Sequence, residues 1–157
     1  MSSFRISGLP HAEFAKLFDL SNGQLQTLGA MRRVADERAG FPCRVSLEDA
    51  AIGDELLLLP YTHHPVASPY RASGPIFVRR HAMQRKMEAD ELPPYVTRRL
   101  ISVRAYDQQH MMVAASVCDG TDVAQQIQRD FDDPAVSYLH LHNAKQGCFS
   151  CSVSRVR

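Results

Sequence analysis

The last fifth of the chain alternates in a way that leaves few folds open to it. Leu139 and Leu141 interleave with Tyr138, His140 and His142. Successive side chains on a strand point to opposite faces, so the leucines share one side and the phenol and imidazoles the other. The pattern predicts a hairpin of Val136–His142 with Cys148–Val156, closed over Asn143–Gly147. A symmetric loop would pair His142 with Cys148 and His140 with Ser150. Cys148 would then join the imidazoles, and Phe149, Cys151 and Val153 would line the leucine face as core.

The rest of the chain fits a sheet built from successive strands. Met31–Ala35, Cys43–Leu47, Glu55–Tyr61 and Ile76–Arg80 have strand character. The run Leu56–Leu59 predicts a strand buried on both faces. Thr62–Pro75, rich in His, Pro, Ser and Gly, is expected as an ordered loop, and Ala82–Pro94 as an excursion. Thr97–Tyr106 and Met111–Cys118 form a second hairpin around Asp107–His110. Helices are expected after Pro10, after Ser21 (with Gln24 as a capping box) and over Thr121–Phe131, where Val123, Ile127 and Phe131 share a face. The expected fold class is α+β: a mostly antiparallel, strongly curved or barrel-like sheet with about three helices packed at one side, in a single domain over residues 1–157.

Charge narrows the function. A net charge of +1 supplies no field to draw nucleic acid or anionic lipid, so neither is an expected partner. No stretch approaches the ~18 apolar residues of a membrane span. No apolar h-region follows Met1–Arg5, so the expected location is the cytoplasm, where Cys43, Cys118, Cys148 and Cys151 stay reduced. Arg outnumbers Lys by 15 to 3. Arg favours bidentate binding of carboxylate or phosphate, although an Arg-rich codon usage would give the same bias.

The closing hairpin holds the densest chemistry. His140, His142 and Cys148 could hold zinc or another transition metal with a position left open; Cys151 would need a bulge to join them. Other templates fail on particular residues. A nucleobase deaminase needs Glu where His142 stands, and haem attachment needs His where Ser152 stands. Without a metal, Cys148 becomes a nucleophile activated by His142 or His140. Its plain alternative is an inert thiol beside two hydrogen-bonded histidines. Cys43, next to Arg44, is the second candidate nucleophile, against the plain alternative of a small core residue.

Three further groups complete the set. In the proline-framed stretch Ser68–Phe77, Tyr70, Arg71 and Ser73 offer a phenol, a guanidinium and a hydroxyl to an oxyanion, or else make a rigid turn. Arg104 shares a strand face with Ser102 and Tyr106. His63 and His64, as strand neighbours, are expected on opposite faces, so that at most one reaches a pocket.

The blocks Gly40–Ala50 (GFPCRVSLEDA), Ser68–Val78 (SPYRASGPIFV) and Leu139–Cys151 (LHLHNAKQGCFSC) occur in the order seen in the bacterial family catalogued as domain of unknown function 1203. The chain resembles that family over nearly its whole length. The resemblance implies a one-domain bacterial protein and carries no activity, cofactor or catalytic residue.

The residues alone support two functional readings. In the first, an enzyme or sensor binds a small anion through Arg44, Arg71, Ser73, Arg104 and Asn143, with Cys43 or Cys148, His142 and Tyr70 supplying the chemistry. In the second, the chain is a non-catalytic binding or oligomerisation module whose His, Cys and Arg residues are structural.

Overall fold

The computed structural model describes residues 2–156. Ten strands form two open five-stranded sheets, with four short helices beside them. In chain order these are β1 (Phe4–Ser7), α1 (Ala12–Ala15), α2 (Asn22–Thr27), β2 (Met31–Val34), β3 (Pro42–Cys43), β4 (Glu48–Asp49), β5 (Glu55–His64), β6 (Ala72–Arg79), α3 (Pro94–Thr97), β7 (Leu100–Tyr106), β8 (Met112–Asp119), α4 (Val123–Phe131), β9 (Tyr138–Asn143) and β10 (Phe149–Arg155). The first sheet runs β1-β10-β9-β7-β8 and the second β2-β5-β6-β3-β4. All pairings are antiparallel except β3 with β6, which meet in parallel at Cys43 and Phe77. The fold is α+β and mostly antiparallel, as expected. The single curled sheet of the sequence reading is instead two sheets that do not close.

Each sheet buries its own aliphatic face. Ile101, Val103, Leu139, Leu141, Cys151 and Val153 of the first pack against Val123, Ile127 and Phe131, the predicted stripe of α4. Leu57, Leu59, Ile76 and Val78 of the second pack against Phe14, Phe18 and Leu25 from the N-terminal helices. On the other side of the second sheet, Leu56 and Phe77 meet Phe41. The four-leucine run thus serves both faces of β5, as predicted. Ser21 caps α2 through the expected box with Gln24.

Four element assignments change. The pairing of β1 with β10 was not legible, because Phe4–Ser7 is short and makes its case only through long-range partners. The stretch from Arg44 to Leu47 leaves the strand after Cys43 as a turn, with Leu47 N–H bonded to the Cys43 carbonyl. Strand β5 continues to His64 and β6 begins at Ala72, so the expected loop shrinks to residues 65–71. Residues 82–94 run beside β1, where Met87 N–H bonds the Ile6 carbonyl.

Gly8 marks where the N-terminal segment crosses the turn that carries Arg44. Its neighbour Leu9 bonds the Arg44 carbonyl (2.8 Å), and a Cβ on Gly8 would fall on the Val45 carbonyl oxygen. Gly8→Ala is expected to lower stability by about 1–3 kcal/mol, because backbone and not a flexible side chain must move. Chemical denaturation reads this directly.

Candidate functional site

The final hairpin forms, but its register differs from the symmetric one. His142 pairs with Phe149 and His140 with Ser152, with a bulge between Phe149 and Cys151. The extra residue turns Phe149 onto the imidazole face, where it stacks on His63 at 5.2 Å and 12° and meets the edges of His140 and His142. Phe149 is therefore not on the leucine face, whereas Cys151 is, fully buried. Gly147, at φ +78°, closes the loop with its N–H on the Asn143 carbonyl.

A bulge removes carbonyls from the ladder, and those carbonyls need other donors. Buried Tyr95 donates its hydroxyl to the Ser150 carbonyl (2.8 Å). Arg44 donates Nε to the Phe149 carbonyl (2.8 Å), Nη1 to the Pro42 carbonyl (2.6 Å) and Nη2 to Cys148 Sγ (3.1 Å). This guanidinium is only 2% exposed. No carboxylate among the described residues pairs with it. Burying an unpaired cation is costly, so the acceptors around it matter. Cys148 sulfur is the one group in that set that can carry a negative charge. Asn143 Nδ2 approaches the same sulfur at 3.6 Å. A guanidinium and an amide thus both donate to this one half-buried sulfur.

Cys148 opens on a cleft of about 380 Å³, lined also by Arg44, Asn143, Gln146, Leu58, Pro75 and Phe77. An adjoining groove of about 630 Å³ shares Arg99, Asn143 and Gln146 with it and adds Arg98, Lys145 and Thr121. Asp49 holds Arg98 (2.8 Å) and Arg99 (2.6 Å) beside these openings.

The imidazole face forms a second assembly between the sheets. His140 and His142 lie on one side of β9, as the alternation predicts, with ring centroids 6.4 Å apart. His63 and His64 both join them, whereas regular alternation would bring only one of the two to a pocket. His63 meets His142 at 5.1 Å, and His64 meets His140 at 4.9 Å. An irregularity in β5 between Tyr61 and His64 breaks the strict alternation that would have separated the two rings. Arg104 sits among them with Nε on Ser102 Oγ (3.2 Å).

Burial drives His140 down to about 3 and His142 to about 4, the latter partly offset by its bond to the Gly147 carbonyl. Burial likewise brings His63 to about 4. These rings are neutral at pH 7. Carbonyls only accept, so tautomers follow. His64 Nδ1–H donates to the Tyr70 carbonyl (2.8 Å), and the Tyr138 hydroxyl lies within hydrogen-bonding distance of both His64 Nε2 (2.6 Å) and His110 Nδ1 (2.7 Å). A chain of hydrogen bonds thus links His110, Tyr138 and His64.

The structure divides the predicted site. Arg44, Asn143 and Cys148 come together. His140, His142 and Arg104 come together in the other assembly, and Tyr70 reaches its rim through its carbonyl and its ring, 6.2 Å from Tyr106. Cys43 joins neither: it is 0% exposed among Val45, Ile76 and Val78, with its sulfur accepting Arg79 N–H (3.3 Å). Arg71 and Ser73 are exposed, Ser73 beside a separate surface hollow with Gly29 and Met31. His142 does not act on Cys148, since its Nδ1–H is given to Gly147 and Phe149 occupies the facing position.

The metal set His140, His142 and Cys148 does not assemble either. No group of three or more His, Cys, Asp or Glu side chains placed to hold an ion occurs among the described residues. The nearest approach, His63, His140 and His142, has two ring separations of 6.2 and 6.4 Å. Rings sharing a tetrahedral ion at Zn–N of about 2.1 Å sit roughly 5 Å apart. His110, Phe149 and Arg99 were missed, and no short-range signal marks them; only the strand irregularities and the sheet pairing bring them in, whereas Tyr138 was placed on the imidazole face by the alternation but given no role.

No helix among the described residues is long and apolar enough to cross a membrane. No curated protein and no solved structure matches the chain. Residues 40–155 match a family model described as a protein of unknown function (DUF1203). That stretch takes in Arg44, Asn143, Cys148 and all five clustered histidines, and the chain belongs to this family.

Proposed function

We propose that the cleft at Cys148 binds a small anionic molecule and that Cys148 is its reactive group, in a protein of the reducing bacterial cytosol. The observation that carries this reading is the buried Arg44 guanidinium, unpaired by any described carboxylate and donating to Cys148 Sγ at 3.1 Å. Leu58, Pro75 and Phe77 offer an apolar wall, which fits a short carbon skeleton bearing the anionic group. Arg44 and Asn143 stabilise negative charge on sulfur or on the bound molecule. The sulfur electron pair forms the bond to an electrophilic carbon, the leaving group departs with its own pair, and the thiol proton goes to solvent.

Iodoacetamide tests this without knowledge of the substrate, since S–C bond formation releases iodide. Cys148 is expected to alkylate at least about tenfold faster than in the urea-unfolded chain. Asn143→Ala is expected to slow that rate, and millimolar phosphate or acetate to protect the thiol. Alkylation no faster than in the unfolded chain sinks the reading. The bonds from Arg44 to the Pro42 and Phe149 carbonyls favour a second reading, a non-catalytic module in which Arg44 is a structural pin. That reading predicts neither rapid alkylation nor protection.

A further inference from the structure

Asn143 stands between the cleft at Cys148 and the groove of about 630 Å³ beside it, and lines both. The residue is 4% exposed. Its Nδ2 approaches Cys148 Sγ at 3.6 Å, and no donor among the described residues reaches its Oδ1. A buried acceptor without a donor is costly to the fold and rare in folded proteins. The two ends of an amide diverge, so the oxygen points away from the sulfur. The other opening that Asn143 lines is the groove.

The groove carries a small positive excess. Arg98 and Arg99 share the single carboxylate of Asp49, which leaves one positive charge over. Lys145 and Asp119 add one charge of each sign. Arg99 is pinned, with Nη1 and Nη2 given to the Tyr95 and Ala39 carbonyls and to both Asp49 oxygens. Arg98 gives only Nη1 to Asp49, and its half-exposed side chain keeps the rest of the fork for a ligand. An excess this small suits one compact anion and not a polyanion. A phosphate can meet Arg98 and Lys145 from two directions at once, whereas a carboxylate is filled by a single guanidinium fork. Asp119 opposes a ligand charged along its whole length. It accepts, as Asn143 Oδ1 does, from a hydroxyl.

We propose that the groove and the cleft are two halves of one site, and that the groove takes the phosphate of a hydroxylated phosphate monoester whose hydroxyl donates to Asn143 Oδ1. This deepens the reading of the Cys148 cleft as an anion site and rests on it for the reactive half. The phosphate lies against Arg98 and Lys145, the hydroxyl beside Asn143, and the carbon skeleton runs toward Leu58, Pro75 and Phe77.

Calorimetric titration of the whole chain with glycerol phosphate and with propyl phosphate, up to about 10 mM, tests this. The two esters share skeleton and charge, and only the first has hydroxyls. Glycerol phosphate should bind at least about tenfold more tightly, because a site built to receive a hydroxyl rejects the analogue lacking it. Asn143→Ala should bring the two within about twofold of each other. Lys145→Glu, in an exposed loop position, should weaken both by about fivefold or more. The iodoacetamide rate of the ligand-free protein reads the cleft separately. Slow alkylation beside binding that depends on the hydroxyl and on Lys145 supports the groove and ends only the reactivity of Cys148. Equal affinity for the two esters, binding of neither, or binding that Lys145→Glu leaves unchanged overturns the groove, and leaves the cleft to stand on its own alkylation.

Discussion

Between pH 6.5 and pH 4 the protein is expected to lose on the order of 5 kcal/mol of stability, enough to unfold a domain of ordinary marginal stability. The loss comes from His140 and His142, buried as neutral rings whose affinity for protons falls from the ordinary 6.5 to about 3 and about 4. The unfolded chain takes up these protons first. Stability from the two rings is fully present above pH 6.5 and drains away as pH falls toward the folded values. Each unit of difference is worth about 1.4 kcal/mol, so two rings with gaps of this size reach that total. His63 adds less, being half-exposed to water.

The charges that press on this array are Arg104, Arg44 and the histidines themselves, all of the same sign as the proton being excluded. Glu55, held below its ordinary range chiefly by its bond to Arg80, keeps its stabilising contribution above about pH 4.5 and loses it only below, at the foot of the window. Urea melts at pH 7.5, 5.5 and 4.5 measure the effect. His140→Gln should flatten the pH dependence by removing the more strongly shifted ring. A wild-type midpoint that barely moves between pH 7.5 and 4.5 would show that the rings are hydrated or protonated in the folded state.

Arg44→Ala is the second large effect, expected to cost about 3–5 kcal/mol. Removing the side chain strands the buried carbonyls of Phe149 and Pro42 and takes one donor from the half-buried sulfur of Cys148, and it leaves a void where a long side chain lay. Arg44→Lys keeps the charge but not the fork; one ammonium cannot reproduce the three directions, so most of the loss should remain. Asn143→Ala touches only the sulfur side of the site, and its stability cost should be far smaller. Thermal unfolding of the three variants separates pinning from chemistry: Arg44 variants lower the midpoint and the alkylation rate together, whereas Asn143→Ala lowers chiefly the rate.

The residues that declared themselves in the sequence are those whose neighbours settle their placement. Alternation placed His140 opposite Leu139 and Leu141, the helical stripe placed Val123, Ile127 and Phe131, and the box at Ser21 and Gln24 started a helix where one exists. What failed was counting across a loop. A symmetric Asn143–Gly147 turn predicted Cys148 beside His142, but the loop closes one residue tighter, with Asn143 N–H on the Cys148 carbonyl, which sets a phenyl ring opposite His142 in place of the thiol. An irregularity before His64 turned two adjacent imidazoles toward one assembly. The division into two sheets was illegible because Pro42–Cys43 and Glu48–Asp49 are too short to announce themselves, and they join β6 only through contacts distant in sequence. Arg44 was singled out for its neighbour Cys43; its partner proved to be a cysteine more than a hundred residues away.

The bulge in β10 carries a consequence at the level of the codon. Phe149 faces His142 and Cys151 faces Leu141, so Ser150 is the residue that β9 leaves without a partner. An in-frame deletion of its triplet would make those two pairs consecutive, and the phenyl ring would stay with the imidazoles while the Cys151 sulfur stayed with the leucines. The group such a deletion deprives is the Tyr95 hydroxyl, which donates to the Ser150 carbonyl.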